Sequence, residues 1–168
     1  TDDQGEIKIW SISKGPTAPH RVYRIRPGVS RLRFDRSGSL LVTASVDGVA
    51  RIWRLDAPDE VQPLELLPGD VVQMVDTAFS PDGQWLVTIT GQFTTRVQLV
   101  AVDGSQSFNV AASSTTNFGL LWTLDSKLVW WETAAEEPEF QLFDPAVGES
   151  VPLADPAIEI MPPVNVSP

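Results

Sequence analysis

The residues that could carry out chemistry are few and scattered along the chain. The single histidine, His20, lies between Pro19 and Arg21, whereas a metal site needs three or four converging ligands. The chain contains no cysteine, which excludes disulfides, thiolate metal ligands and a cysteine nucleophile. No Gly-x-Ser-x-Gly turn is present, so a Ser-His-Asp apparatus would require His20 as its base. The sequence therefore predicts no catalytic residue, no metal ion and no cofactor.

Acidic side chains are concentrated around Pro138, where Glu136, Glu137 and Glu139 follow one another closely. Calcium loops place their carboxylates at alternating positions of an Asp-x-Asp pattern, which this segment lacks. The segment is predicted to be a solvated loop between two strands. No glycine-rich loop of the kind that binds phosphate groups is found elsewhere in the chain.

The charge is distributed unevenly along a chain whose net charge is −10. Residues 1–54 contain ten lysines and arginines against five acids, and the remainder contains two against seventeen. A cluster of six arginines could indicate a nucleic-acid patch, but apolar residues alternate with them as in a half-buried strand. The strand interpretation explains the same pattern, so nucleic acid is not favoured as a partner. The six arginines are Arg21, Arg24, Arg26, Arg31, Arg33 and Arg36.

An internal repeat organises the elements that carry these residues. The segment 29–53 has a partner at 74–90, in which Phe34 matches Phe79 and Gly38 matches Gly83. A third, less similar copy runs from Leu120 to 144. A period of roughly 40–45 residues with several short strands per copy is typical of β-propeller blades.

Turn residues divide each copy into strands. Asp47-Gly48 and Asp103-Gly104 are two-residue hairpin signals between apolar runs. Fourteen prolines and the lack of any sustained helical period exclude helix from most of the chain. The sequence thus predicts an all-β fold of four-stranded antiparallel blades, with about three and a half blades forming part of a larger propeller.

Naming the strands of a blade a to d from the propeller axis outward, we assign a partial propeller to residues 1–155. A half blade occupies 1–28, with strand c at 7–12 and strand d at 20–26. Complete blades follow at about 29–68, 72–110 and 116–154. Residues 156–168, which include four prolines, are predicted to form an extended tail.

These residues resemble the WD-repeat family, most closely over 29–54. The resemblance implies that Ser45, Asp47 and Trp53 hold the places of the family's serine, aspartate and tryptophan in a structural hydrogen-bond network, and Trp10 the matching place in the half blade. Arg54 replaces the aspartate of the Trp-Asp signature. The family's histidine precedes strand a, whereas His20 precedes strand d, so no blade is expected to complete that network.

The six tryptophans are expected mainly in the interior. Trp10 and Trp53 should pack between blades, whereas Trp85 and Trp122 fall in a or b strands. The adjacent Trp130 and Trp131 must point to opposite faces of their sheet. An exposed tryptophan near a rim would be a candidate contact for a protein partner.

Two functions follow from a propeller that lacks catalytic groups. The first is a non-catalytic protein-interaction or sensor module, forming the C-terminal part of a larger WD-repeat protein of the kind that carries signalling domains. The second is the accessory propeller of a multidomain enzyme such as a gated serine peptidase. In both, a propeller needs ~4–8 blades to close, so the missing blades are expected as partners, either in cis or as a second chain.

Compartment signals are weak. No apolar run reaches the ~18 residues that a membrane span requires, so no membrane span is predicted. The lack of cysteine suits the reducing cytoplasm.

Overall fold

The computed structural model describes residues 6–10, 21–25, 28–58, 62–66, 74–91, 93–114, 118–133 and 139–153. These residues form four antiparallel sheets, one with two strands and three with four. Within this described part, none lies in an α-helix, and no helix could cross a membrane. The predicted all-β fold with four-stranded antiparallel sheets is therefore confirmed.

The strands follow the chain in order. The two-stranded sheet, called the half-sheet below, contains β1 (Glu6–Ile9) and β2 (Arg21–Arg24). Sheet I contains β3 (Val29–Phe34), β4 (Leu40–Ser45), β5 (Ala50–Arg54) and β6 (Leu64–Leu66). Sheet II contains β7 (Met74–Phe79), β8 (Trp85–Thr90), β9 (Thr95–Ala101) and β10 (Ser107–Ser113). Sheet III contains β11 (Phe118–Trp122), β12 (Leu128–Glu132), β13 (Gln141–Asp144) and β14 (Glu149–Pro152).

Each four-stranded sheet is a simple meander in which strands adjacent in sequence are also adjacent in space. The registers of sheets I and II correspond closely: Phe34 lies opposite Leu41, and Phe79 lies opposite Leu86. Each first strand also carries an irregularity near its start, after Val29 in β3 and after Met74 in β7. The sequence repeat is thus a structural repeat, so corresponding positions can be compared directly.

The turn between the first two strands shows why the repeat needs glycine. Gly38 and Gly83 have φ values of 74° and 71°, in the left-handed region that a side chain disfavours. Sheet III places Ser126 at the same position with φ 63°. Its hydroxyl accepts a hydrogen bond from the Asp82 backbone amide of sheet II at 3.1 Å. This contact joins two sheets and offsets part of the conformational cost of the serine.

The sheets pack face to face in chain order, and each interface has its own apolar core. Ile7 and Tyr23 of the half-sheet pack against Leu41 and Trp53 of sheet I. A second core joins sheets I and II, and its largest members include Ile52, Leu66, Met74, Phe79 and Leu86. A third joins sheets II and III through Val87, Leu99, Trp122, Leu128 and Phe143. Apolar residues of successive sheets therefore interdigitate along one direction, as in the blades of a propeller.

Several expectations fall on residues that the structure does not describe. They concern His20, Arg26, Glu136, Glu137 and the tail 156–168. Trp10 is described, and it lies one residue beyond the end of β1 with 48% of its surface exposed. The expectation that Trp10 packs between blades is not met by the contacts of this chain.

Candidate interaction surfaces

Trp53 fixes the outer part of sheet I against the half-sheet. Its indole Nε1 donates a hydrogen bond to the Thr43 hydroxyl on the neighbouring strand at 3.2 Å. Its ring lies 4.9 Å from the ring of Tyr23, measured between centroids. Both Trp53 and Thr43 are buried, so the bond satisfies an indole donor that would otherwise be costly to bury.

Ser45 and Asp47 make different contacts from Trp53. The Ser45 hydroxyl is buried and has no hydrogen-bond partner within the described part of the chain. Asp47 accepts bonds from the Val49 backbone amide at 3.1 Å and from the Arg51 guanidinium at 3.0 Å. Thr43, rather than Ser45, is the residue bonded to Trp53, and a network role for Ser45 stays a prediction.

Arg51 is a buried cation that ties the inner hairpin to the outer strand of sheet I. Its guanidinium pairs with Asp47 at 3.0 Å and with Glu65, directly across from it on β6, at 2.9 Å. Burial alone would lower the pKa of Arg51, but the hydrogen bonds and charges of both carboxylates raise it above its ordinary value. The charged triad therefore serves structure, and its buried cation has both partners in place.

The aromatic residue that ends strand a differs sharply in exposure among the three sheets. Pairing opposite Leu41, Leu86 and Leu128 shows that Phe34, Phe79 and Trp122 occupy the same repeat position. Phe79 and Trp122 are 9% and 4% exposed, whereas Phe34 is 56% exposed. Sheets I and II cover Phe79 and Trp122 respectively, but the described part of the half-sheet beside Phe34 consists of two outer strands.

The area around Phe34 is an uncovered apolar surface on the inner half of sheet I. Leu32 on the same strand is partly buried and lies at the margin of the core between the half-sheet and sheet I. By contrast, the outer half of the same face is covered, because Leu41 and Trp53 are buried against the half-sheet. We call Leu32 and Phe34, together with the edge of β1 that faces away from β2, the inner face.

The adjacent tryptophans Trp130 and Trp131 are held by local partners. Trp130 donates its Nε1–H to the Ser150 hydroxyl at 3.2 Å, and Trp131 lies across the strand from Gly119. A Cβ atom at Gly119 would come within 2.1 Å of the Trp131 ring, so glycine is required for the ring to lie over β11. Both tryptophans are partly buried, and neither is a fully exposed contact.

A candidate contact that the sequence analysis missed lies in the b–c loop of sheet II. Phe93 is 85% exposed, the highest exposure among the large apolar residues described. The sequence feature that could have indicated this contact is an apolar residue inside a short polar segment between two strands, from Gly91 to Thr95. Such exposed aromatic residues at loop tips are typical of protein-binding surfaces.

The arginines are divided among several internal contacts. Arg21 donates to the Ala57 carbonyl at 2.6 Å, and Arg33 lies 3.9 Å from the buried Asp76 of sheet II. Arg31 and Arg33 alternate with Leu32 and Phe34 along β3, in the pattern expected of a strand. Among the described residues no group of three or more metal-ligating side chains comes together.

Comparisons with known proteins agree with this architecture. The model of the WD domain, G-beta repeat, matches residues 20–54. The Periodic tryptophan protein 2 homolog of Schizosaccharomyces pombe is 36% identical over 97 residues, which make up 56% of this chain and 11% of that protein. The chain therefore spans about a tenth of this relative.

Solved propeller structures are similar in fold at low sequence identity. Hsv2 of Kluyveromyces marxianus matches with a TM-score of 0.61 and 19% identity, covering 89% of this chain and 51% of that one. Hsv2 of Kluyveromyces lactis with its complete loop 6CD matches with a TM-score of 0.59 and 16% identity, covering 89% and 55%. The chain spans about half of these structures. It is a WD-repeat-like chain, and its sheets are blades of a β-propeller.

Proposed function

We propose that this chain is a non-catalytic protein-interaction module and forms the C-terminal part of a larger WD-repeat propeller. In this proposal the half-sheet is the outer half of a blade, and two inner strands from a preceding segment complete it. That segment is supplied by the same protein, in cis or as a separate chain. The lack of cysteine suits a reducing compartment such as the cytoplasm.

The exposure of Phe34 is the observation that carries the proposal. Phe34, Phe79 and Trp122 share one repeat position, and only the one beside the half-sheet is exposed. Burying a phenylalanine side chain is worth about 1.5–3 kcal/mol. A missing strand pair explains why this stabilisation is lost at one blade and present at the next two.

The shape of the inner face indicates the form of its partner. Among the described residues β1 pairs with β2 alone, so the edge of β1 that faces the propeller axis has room for a further strand. Exposed strand edges accept further strands readily. An antiparallel strand pair would satisfy this edge and cover Phe34 at the same time, whereas a complete four-stranded sheet would collide with β1 and β2.

The rims support interaction with other proteins. Rigid strands with variable loops are the usual basis of binding by propellers and other repeat folds. Phe93 and Val46 lie exposed in b–c loops, where a partner could reach them. These positions are the first candidates for alanine scanning.

Native mass spectrometry on the protein carrying this chain tests the proposal. We expect the 168-residue chain to remain bound to the segment that supplies the inner strands after the linking peptide is cut by limited proteolysis. A Phe34→Asp variant should weaken this association, and the Val147→Asp variant, at an exposed position in the turn between β13 and β14, should not. A folded, monomeric 168-residue chain that ignores the preceding segment would contradict the proposal.

A further inference from the structure

A polar cleft opens between sheets I and II, on the rim formed by the a–b and c–d turns. Its volume is about 320 Å³, at the lower end of the range found for ligand sites. Sheet I contributes one wall at the end of β5, and sheet II contributes the other wall and the floor. The polar and aromatic residues of the lining are Arg54, Gln84, Trp85, Asp103, Ser105 and Gln106.

Backbone hydrogen bonds hold the sheet II wall in place. The Val102 amide donates to the Gln84 carbonyl at 2.9 Å, and the Ala101 amide donates to the Gln106 carbonyl at 2.9 Å. Ala101 and Val102 are buried and form the floor. The two glutamines therefore extend from fixed backbone positions at the mouth of the cleft.

The c–d turn of sheet II closes the outer end. Gly104, with φ 75°, lies so that a Cβ atom would be 3.6 Å from Leu66 and 3.8 Å from Leu64 on β6. The turn thus rests on the outer strand of sheet I. The cleft is preformed, because packing between two sheets sets its width.

Arg54 supplies a cation that has no partner within the described part of the chain. It is exposed at the end of β5, and no described carboxylate lies within 4.0 Å of its guanidinium. The side-chain amides of Gln84 and Gln106 likewise make no hydrogen bond with the described residues. Several donors therefore face one small space, in which Asp103 is the single carboxylate of the lining.

The corresponding place between sheets II and III is already occupied by internal contacts. There Lys127 pairs with Asp125 and with Asp144, each at 3.3 Å. Ser126 accepts a hydrogen bond from the Asp82 amide across the interface. Ala101 of sheet II holds the repeat position of Arg54 at this second interface, and the cation found there, Lys127, is neutralised by the protein itself.

We propose that the Arg54 cleft binds a single carboxylate side chain on an extended peptide segment of a partner protein. The guanidinium of Arg54 pairs with the carboxylate in the geometry that arginine favours. The amides of Gln84 and Gln106 bond to the peptide backbone, and Trp85, which is partly buried, contacts the aliphatic part. The inference rests on the proposed protein-interaction function, and it names the chemistry of one contact.

Asp103 limits the ligand to a single acidic side chain in the cleft. Its carboxylate accepts from the Ser105 amide at 2.9 Å, and hydrogen bonds from Ser105 keep the pKa of Asp103 below its ordinary value. It is therefore charged at neutral pH and lies opposite Arg54 in the lining. A polyacidic segment would place a second carboxylate against it, which like-charge repulsion disfavours.

Titration of three small probes tests the proposal. The probes are acetyl-Ala-Glu-Ala-amide, its glutamine counterpart and free propionate, and the readout is the indole N–H resonance of Trp85, assigned with a Trp85→Phe variant. We expect saturable shifts with the glutamate peptide, at least about fivefold weaker binding of the glutamine peptide, and weaker binding of propionate because it lacks the backbone contacts.

Matched variants separate a specific cleft from general electrostatics. Arg54→Gln should weaken binding of the glutamate peptide about fivefold. Arg36→Gln removes the same charge from an exposed position in the neighbouring a–b turn and should change it less than about twofold. Asp103→Asn should tighten it. Equal losses in the two arginine variants, or equal binding of the glutamine peptide, would overturn the proposal.

The titration is run on the complete protein, in which every blade is present. Both walls belong to sheets I and II, and neither includes the inner face. If the chain folds alone and ignores the preceding segment, the proposed function fails while peptide binding can still be measured. If the inner strands bind Phe34 but no probe shifts Trp85, only the cleft assignment fails.

Discussion

The interface between the half-sheet and sheet I can be compared with the interface between sheets I and II. Both have the same repeat positions, with an aromatic residue at the end of strand a and a large apolar residue on strand c. At the second interface Phe79 and Val100 are both buried. At the first, Trp53 is buried but Phe34 is exposed. The difference in exposure depends on the neighbouring sheet, because the half-sheet has two outer strands and no inner ones among the residues that the structure describes.

The comparison shows that a repeat position does not decide burial by itself. In a propeller each blade buries the face of its neighbour. The same residue at the same repeat position can therefore lie in the core of one copy and on the surface of another. Phe34 and Phe79 are the same amino acid in the same local conformation. Only the presence of an adjoining inner strand pair separates them.

A second difference between sheets I and II concerns the threonine hydroxyl on strand b. In sheet I, Thr43 accepts the hydrogen bond of Trp53. In sheet II, Thr88 takes the place of Thr43 and Val100 the place of Trp53. Thr88 is fully buried, and its hydroxyl has no partner among the described residues. The loss of one indole has therefore left an unpaired polar group at the next interface.

The largest expected effect on the free energy of unfolding comes from replacing Phe79 with alanine, and the same change at Phe34 is its comparison. Phe79→Ala should lower the free energy of unfolding by about 3 kcal/mol or more, because it leaves a cavity in a packed core. Phe34→Ala in the isolated chain should cost less than about 1 kcal/mol, since the ring is already half in water. Urea unfolding followed by tryptophan fluorescence measures both.

The same pair of variants in the complete protein sharpens the comparison. If inner strands cover Phe34 there, Phe34→Ala should become nearly as destabilising as Phe79→Ala. A small effect of Phe34→Ala in both contexts would argue that the inner face has no strand partner.

Smaller effects on stability, which differ in sign from each other, are expected from substitutions at Thr43 and Thr88. Thr43→Val removes the acceptor of a buried indole and should destabilise the chain by about 1–2 kcal/mol. Thr88→Val replaces an unpaired buried hydroxyl with a group of similar shape and should be neutral or stabilise by up to about 1 kcal/mol. Thermal unfolding of both variants checks this, and equal destabilisation would contradict the assigned bonding.

The repeat and its turns could be predicted from the sequence because they depend on local patterns. Phe34 and Phe79, together with Gly38 and Gly83, defined the blade period, and the structure has those glycines in the left-handed conformation. The third copy was harder to interpret, because Ser126 takes the place of that glycine and is compensated by a contact with another sheet.

Contacts between distant residues could not be predicted in the same way. The family pattern indicated Ser45 near Trp53, whereas the pleat brings Thr43 to the indole. The Arg51 triad joins residues from a hairpin and an outer strand, and no local pattern signals that pairing. The Arg54 cleft depends on the spacing of two sheets, which one strand cannot encode.

Amide hydrogen exchange of β1 tests the account's central claim most directly. Among the described residues β1 pairs with β2 alone, so in the isolated chain any β1 amide that does not bond to β2 should exchange rapidly. In the complete protein these amides should become protected, since an inner strand would pair with them. The account predicts this protection together with slowed exchange near Phe34. Equally rapid exchange at β1 in both samples would contradict it, because the edge would then have no strand partner.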